Sequence, residues 1–214
     1  KSDVEEQDVT WEVKEYNCKL SMKNSEVRKI AVELVNPEAI ASWRFKKSAG
    51  FGVLIVENIT GLGVTREELD EAVLENLKEN TDAYKIVKRE EMKTEAGTFL
   101  IRHCETILER RSFYFIVATM NHNGYYYQVT NWSLNRNRKK ADFVRDSMAS
   151  IKNLTLIDPS KVAPNINIVL AKSFTDKNFG IEITNPDDWE YYNLEQDKDT
   201  LPAYGFNIKG EGVL

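Results

Sequence analysis

The sequence predicts an α+β fold: an antiparallel sheet with helices packed on it, followed by a partial repeat of the N-terminal strands. Three observations predict it. A long alternating stretch carries an Asn-Gly turn, two amphipathic helical segments flank that stretch, and residues near the C-terminus repeat a pattern from near the N-terminus. The expected domains are 1–158 and 165–214, the second truncated.

Composition narrows the classes. With 214 residues, 42% hydrophobic and 29% charged, the chain is globular rather than disordered or collagen-like. No apolar run approaches the ~20 residues that cross a bilayer. Acidic residues outnumber basic ones 34 to 29, a net charge of −5, so a nucleic-acid partner is not expected. Cys18 and Cys104 lack any CxxC spacing and are too few for a disulfide framework. One bridge or two buried thiols both fit, and buried thiols are favoured. The chain opens at Lys1 without an apolar signal core and reads as a segment of a longer polypeptide, and Gly212-Val213-Leu214 reads as an interrupted strand.

In order along the chain, Cys18–Lys23 and the alternating Ile30–Val35 read as a hairpin, closed by Asn36-Pro37. The aromatic Trp43-Arg44-Phe45 precedes Gly52–Glu57, a β-branched run bounded by glycines. Gly61-Leu62-Gly63 breaks the chain before a helix start. Thr65 caps it, Glu68 completes a capping box, and Val64 can staple onto Leu69. Leu69, Val73 and Leu77 form one apolar stripe, and Asn80 stops it.

Tyr84–Met92 reads as a strand. Then Gly97–Leu108 turns at Glu109-Arg110 into Arg111–His122, and Asn123-Gly124 turns that into Tyr125–Leu134. Asn-Gly favours a two-residue hairpin because both central residues need positive φ. That turn sets Met120 against Tyr127, Ala118 against Val129, and Phe115 against Trp132. Both faces of the meander are apolar, so both should be at least partly covered. A closing helix spans Arg138–Ile151 with Val144, Met148 and Ile151 inward, and Lys161–Pro164 reads as a linker.

The repeat appears when Cys18–Lys23 is set over Asn167–Lys172 and Ile30–Glu38 over Phe179–Asp187, both at an offset of 149 (167 − 18 and 179 − 30). Trp43-Arg44-Phe45 and Phe51–Leu54 then resemble Tyr204-Gly205-Phe206 and Glu211–Leu214. The alternative is a single domain with a C-terminal hairpin.

Phe179-Gly180-Ile181-Glu182-Ile183-Thr184-Asn185-Pro186-Asp187-Asp188-Trp189 is close to the "GF-x-I-x-x-P-x-x-W" opening of the PsbP-like family. The order of elements, Tyr126–Thr130 and Phe143–Ile151 add to the likeness. Residues 15–157 therefore resemble the α/β/α sandwich of an extrinsic photosystem II subunit, Mog-type Ran-binding import factors and many bacterial lipoproteins. The first copy departs from the motif with Ala39-Ile40 at the aromatic position. A well-specified fold with no nucleophile elbow, P-loop, GxGxxG or HExxH reads as a non-catalytic binding or scaffold module, extracytoplasmic (secreted or lipid-anchored), with no cofactor expected. The resemblance transfers no functional residue, because the fold hosts unrelated roles.

Candidate site residues come from the meander. Trp132, Phe115, Arg102 and Tyr126 share one face and form an aromatic patch for a protein or small ligand if no helix covers them. Arg136, Arg138, Lys139 and Lys140 gather where the last helix begins and can contact an anion. The enzyme alternative rests on His103, Glu105 and Tyr114. His103 and Glu105 are two apart on one strand face, within reach of each other, but no further histidine or cysteine completes a metal set. A carrier of an apolar ligand is a further alternative. Asp197-Lys198-Asp199 lacks the glycine and glutamate of a calcium loop. The sequons at Asn58, Asn131 and Asn153 matter only in a glycosylating compartment. The truncated second copy should dock on the first domain or on another chain through its open edge.

Overall fold

A computed structural model describes residues 8–135 and 139–164, together with the backbone of four C-terminal strands. The chain divides into two compact units, Lys1–Asn165 and Ile166–Leu214. Arg136 and Arg138 lie outside the described residues. So do Asn167–Lys172, Asn185–Asp188, Asp197–Asp199 and Gly212–Leu214, which carried several of the expectations above.

The first unit contains β1 (Asp8–Val13), β2 (Cys18–Lys23), β3 (Val27–Lys29), β4 (Ala41–Phe45) and β5 (Phe51–Asn58), then α1 (Arg66–Glu79). It continues with β6 (Ala83–Lys93), β7 (Thr98–Leu108), β8 (Arg111–His122), β9 (Tyr125–Leu134), α2 (Lys140–Lys152) and β10 (Leu154–Leu156). Seven strands form one antiparallel sheet in the order β3-β4-β5-β9-β8-β7-β6, and β1-β2-β10 form a second, smaller one.

The meander is built by two tight turns. Glu109 and Arg110 have φ of 49° and 63°, and Asn123 and Gly124 have 48° and 85°. Positive φ at both central residues matches the right-handed twist of the flanking strands. The register follows as expected, with Met120 opposite Tyr127, Ala118 opposite Val129 and Phe115 opposite Trp132.

The two faces of the large sheet are covered unequally. On the inner face Ile101, Ile116, Met120 and Tyr127 meet Leu20 of the small sheet and Phe143 of α2, all at most 1% exposed. This is the main core. The outer face carries α1, whose capping box closes between Thr65 and Glu68 as the sequence predicts. The apolar stripe of α1 is not buried, however. Leu69, Val73 and Leu77 border an open cleft of about 390 Å³ with Ile55, Val117 and Thr130 beneath them, and Asp70 is the helix's one buried residue.

Four local expectations need correction. Ile30–Val35 is not a strand: Val32–Leu34 forms a single 3-10 turn, and Leu34 is 81% exposed because nothing packs on it. The strand lies earlier, at Val27–Lys29, paired to β4. The helix α2 starts at Lys140 rather than Arg138, and it buries Phe143, Ser147, Ser150 and Ile151, so its inward face is rotated from the expected stripe. The segment 161–164 is tied down, since the Ala163 N–H donates to the Asn123 carbonyl and Ala163 is 3% exposed. Neither β1 nor β10 was expected.

In the second unit β11 (Ser173–Asp176) pairs with β12 (Ile181–Thr184), and β13 (Trp189–Tyr192) with β14 (Gly205–Ile208). The offset of 149 sets β12 over the 3-10 turn at Val32–Leu34. The two stretches therefore differ in local structure where their sequences match best.

Candidate ligand-binding face

On the outer face of the sheet the register lines up one row across adjacent strands: Arg44 opposite Phe51, Phe51 opposite Trp132, and Trp132 opposite Phe115. Directly opposed side chains on one face are close enough to touch. The Phe51 and Trp132 rings stack at 5.9 Å and 20°, and Trp132 and Phe115 at 6.2 Å and 19°. The Arg44 guanidinium lies over the Phe51 ring at 5.7 Å, within cation–π range. All three aromatics are half-buried.

Beside this row is a hollow of about 320 Å³. Phe51, Phe113, Trp132 and Leu134 form its apolar walls, and Arg44, Ser48, Ser133 and Lys139 are its polar members. The β4–β5 turn supplies Ser48, which is 4% exposed and whose hydroxyl has no hydrogen-bond partner among the described residues. Neither Arg44 nor Lys139 is paired with a carboxylate among those residues.

The four aromatic-face residues expected from the sequence separate into two groups. Trp132 and Phe115 are in the open row. Arg102 and Tyr126 lie further along the same face and engage Asp70 of α1: the Tyr126 hydroxyl donates at 2.8 Å and Arg102 at 3.0 Å. Tyr126 is 1% exposed, and burial, with the Asp70 carboxylate next, pushes its phenol pKa well up. These two anchor the helix.

The cationic cluster separates too. Lys139 borders the hollow, whereas Lys140 turns away, donates to Glu105 at 2.9 Å and sits 4.1 Å over the Tyr114 ring. Phe51, Arg44 and Ser48 were missed. The signal for Phe51 was its place at the start of the β5 run, but its pairing with Trp132 depends on a contact between strands distant in sequence.

His103 is 2% exposed. Its Nδ1 is 3.1 Å from the Tyr114 hydroxyl and its Nε2 is 2.6 Å from Glu90. Glu105, the partner expected from spacing, pairs with Lys140 instead. A bulge at Ile86/Lys88 in β6 explains the exchange: the extra residue reverses which side chains face inward and brings Glu90 to the histidine. Burial holds the His103 pKa below its usual value, opposed by the Glu90 hydrogen bond. The geometry fits a neutral imidazole donating from Nε2 to Glu90 and accepting the Tyr114 hydroxyl at Nδ1. Both ring nitrogens are thereby hydrogen-bonded to protein side chains.

Cys18 and Cys104 are both free and buried, and burial pushes the Cys18 thiol up to about 12. Among the described residues no three His, Cys, Asp or Glu side chains are grouped to hold a metal ion. No described helix is long and apolar enough to cross a membrane.

No family model matches the sequence, and no curated protein matches it. Solved structures do. The chain is similar to the Ran-binding protein Mog1p of Saccharomyces cerevisiae, with a TM-score of 0.49 and 7% identity over 72% of this chain and 97% of that one. It is also similar to cyanobacterial PsbP (CyanoP) from Synechocystis sp. PCC 6803, with a TM-score of 0.55 and 5% identity over 73% of this chain and 96% of that one. The likeness to CyanoP shows that this chain has the PsbP-like α+β fold, an antiparallel sheet with helices packed on it.

Proposed function

We propose that the chain is a non-catalytic binding module that engages a small ligand or a protein through the aromatic row on its outer sheet face. One observation carries the reading. Phe51, Trp132 and Phe115 stack in register yet remain half-exposed beside a hollow, while α1 is anchored elsewhere on the same face. Open apolar surface of this kind is a frequent mark of ligand and partner sites. The buried, fully bonded His103 gives no comparable support to the enzyme alternative. The extracytoplasmic setting belongs to the same reading.

The test is a fragment screen of the isotope-labelled chain by NMR. Amide and indole shifts should concentrate on Arg44–Gly52 and Trp132–Leu134, and Trp132→Ala should abolish them while leaving the circular dichroism unchanged. Shifts gathered around His103 and Tyr114, or spread without focus, would overturn the reading.

A further inference from the structure

We propose that the hollow beside Trp132 recognises small planar carboxylic acids, with the ring system packed against Phe51, Phe113 and Trp132 and the carboxylate held by Lys139, Arg44 and the Ser48 hydroxyl. This rests on the binding reading of the same face and adds the chemical class of the ligand.

The first ground is shape. At about 320 Å³ the hollow lies near the small end of the ~300–1,000 Å³ usual for small-molecule sites. The facing sides of Phe51 and Trp132 are taken up by their own stack, so an aromatic ligand in the hollow meets these rings at their free edges, and edge-to-face contact is an arrangement aromatic pairs favour. A flat, compact ligand suits that surface better than a branched aliphatic one.

Charge is the second ground. The chain as a whole carries an excess of acid, 34 residues to 29, yet the hollow is lined by two cations and no carboxylate. Among the described residues Lys139 is paired with no acid. Its ammonium donates to the Lys47 carbonyl at 3.3 Å, a contact that leaves its charge unneutralised. Arg44 is placed over Phe51, which keeps the guanidinium beside the aromatic row. Lys139 also occupies the cap position of α2 and provides no side-chain acceptor there. The positive end of that helix thus adds to the field at the rim.

The third ground is independent of charge. Ser48 is nine-tenths buried and lines the hollow, and its hydroxyl has no partner among the described residues. Buried hydroxyls are nearly always bonded, and an unpaired one calls for an explanation. A carboxylate oxygen in the hollow would accept that proton. The amide or alcohol analogue of the same acid could do so as well, but it would leave the two cations unanswered.

The experiment uses 2-naphthoate and its neutral isostere 2-naphthamide, titrated into the full chain by calorimetry with the Trp132 indole resonance as a local reporter. The expected result is that naphthoate binds at least about tenfold tighter than naphthamide, as charge-assisted hydrogen bonds are about twice as strong as neutral ones, and that the Trp132 signal shifts with both. Lys139→Gln combined with Arg44→Gln should erase the preference. Lys140→Gln, whose side chain is on the inner face with Glu105, should leave it intact. Ser48→Ala should weaken naphthoate several-fold without lowering the melting temperature, because it removes an unsatisfied hydroxyl. Equal affinity for the two ligands with Trp132 shifting would overturn the acid preference and leave the aromatic face as a binding site. No shift at Trp132 with either ligand would overturn both.

Discussion

The Tyr126 hydroxyl donates to one oxygen of Asp70 at 2.8 Å while Arg102 donates to the other at 3.0 Å. The helix α1 has no fully buried apolar residue, so this polar junction replaces the hydrophobic seam that normally fastens a helix to a sheet. Asp70→Ala leaves the Arg102 charge and the Tyr126 hydroxyl without their partner in a largely desolvated place. The expected loss is about 3 kcal/mol, the low end for breaking a buried pair from one side. It should be accompanied by faster amide exchange throughout α1. Chemical denaturation that shows Asp70→Ala as stable as the parent would refute this account of the helix.

His103 makes stability depend on pH. Burial lowers its folded-state pKa, so the unfolded chain takes up the proton first as pH falls. The stabilisation is present above the ordinary histidine value near ~6.5 and is lost as pH drops through that value toward the folded one. Urea midpoints should fall between pH 7.5 and 5.5, and His103→Asn should flatten the fall. The Glu90 carboxyl is held down mainly by its bond to Lys88, and its share of the stability is lost only at more acidic pH, beyond that window. An unchanged slope in the variant would exclude His103 as the source.

Gly52 is required by a close approach rather than by its backbone angles. A Cβ there would run into the Trp43 indole and the Asn131 amide, both of them 0% exposed. Gly52→Ala should therefore cost about 1–3 kcal/mol, as overpacking does, and should shift the near-ultraviolet signal of the tryptophans. A melting temperature within a degree of the parent would show that the core gives way more easily than its packing implies.

The thiols should be inert in the native state. Cys18 and Cys104 are 1% and 0% exposed, and burial raises both thiol pKa values, Cys18 to about 12. Ellman's reagent near pH 8 should find no reactive thiol until denaturant is added and then find both. Rapid labelling of either one in the folded protein would contradict the burial.

Much of the architecture was legible because its signals are local. The Asn123-Gly124 turn fixes its own hairpin, and side chains alternate faces along a strand, so three cross-strand pairs could be assigned from one dipeptide. The Thr65–Glu68 capping box is likewise written within four residues. What failed was non-local. Ile30–Val35 alternates as a strand should, but the pairing with β4 ends at Ile30, whose N–H donates to the Ser42 carbonyl, and the chain then turns into the 3-10 segment Val32–Leu34. The bulge in β6 is set by the competing demands of two faces, Tyr84 with Cys104 on one and Glu90 with His103 on the other. No period-2 reading anticipates it, and Glu105 was therefore matched to the wrong partner. The site was half visible. Trp132 and Phe115 could be paired from the turn, but Phe51, Arg44 and Ser48 reach them only through the β5–β9 contact and the turn beyond it.

Gly50 ends the turn that carries Ser48, and a Cβ at that position would press into the ring of Phe143 from α2. Phe143 is itself wedged edge-on against Phe45 and Tyr114. The turn at the rim of the hollow and the helix behind the sheet therefore meet at one place, where the missing side chain of Gly50 makes room for the Phe143 ring. A side chain at position 50 would set the turn and α2 against each other, so the rim that carries Ser48 can be shaped only with glycine there.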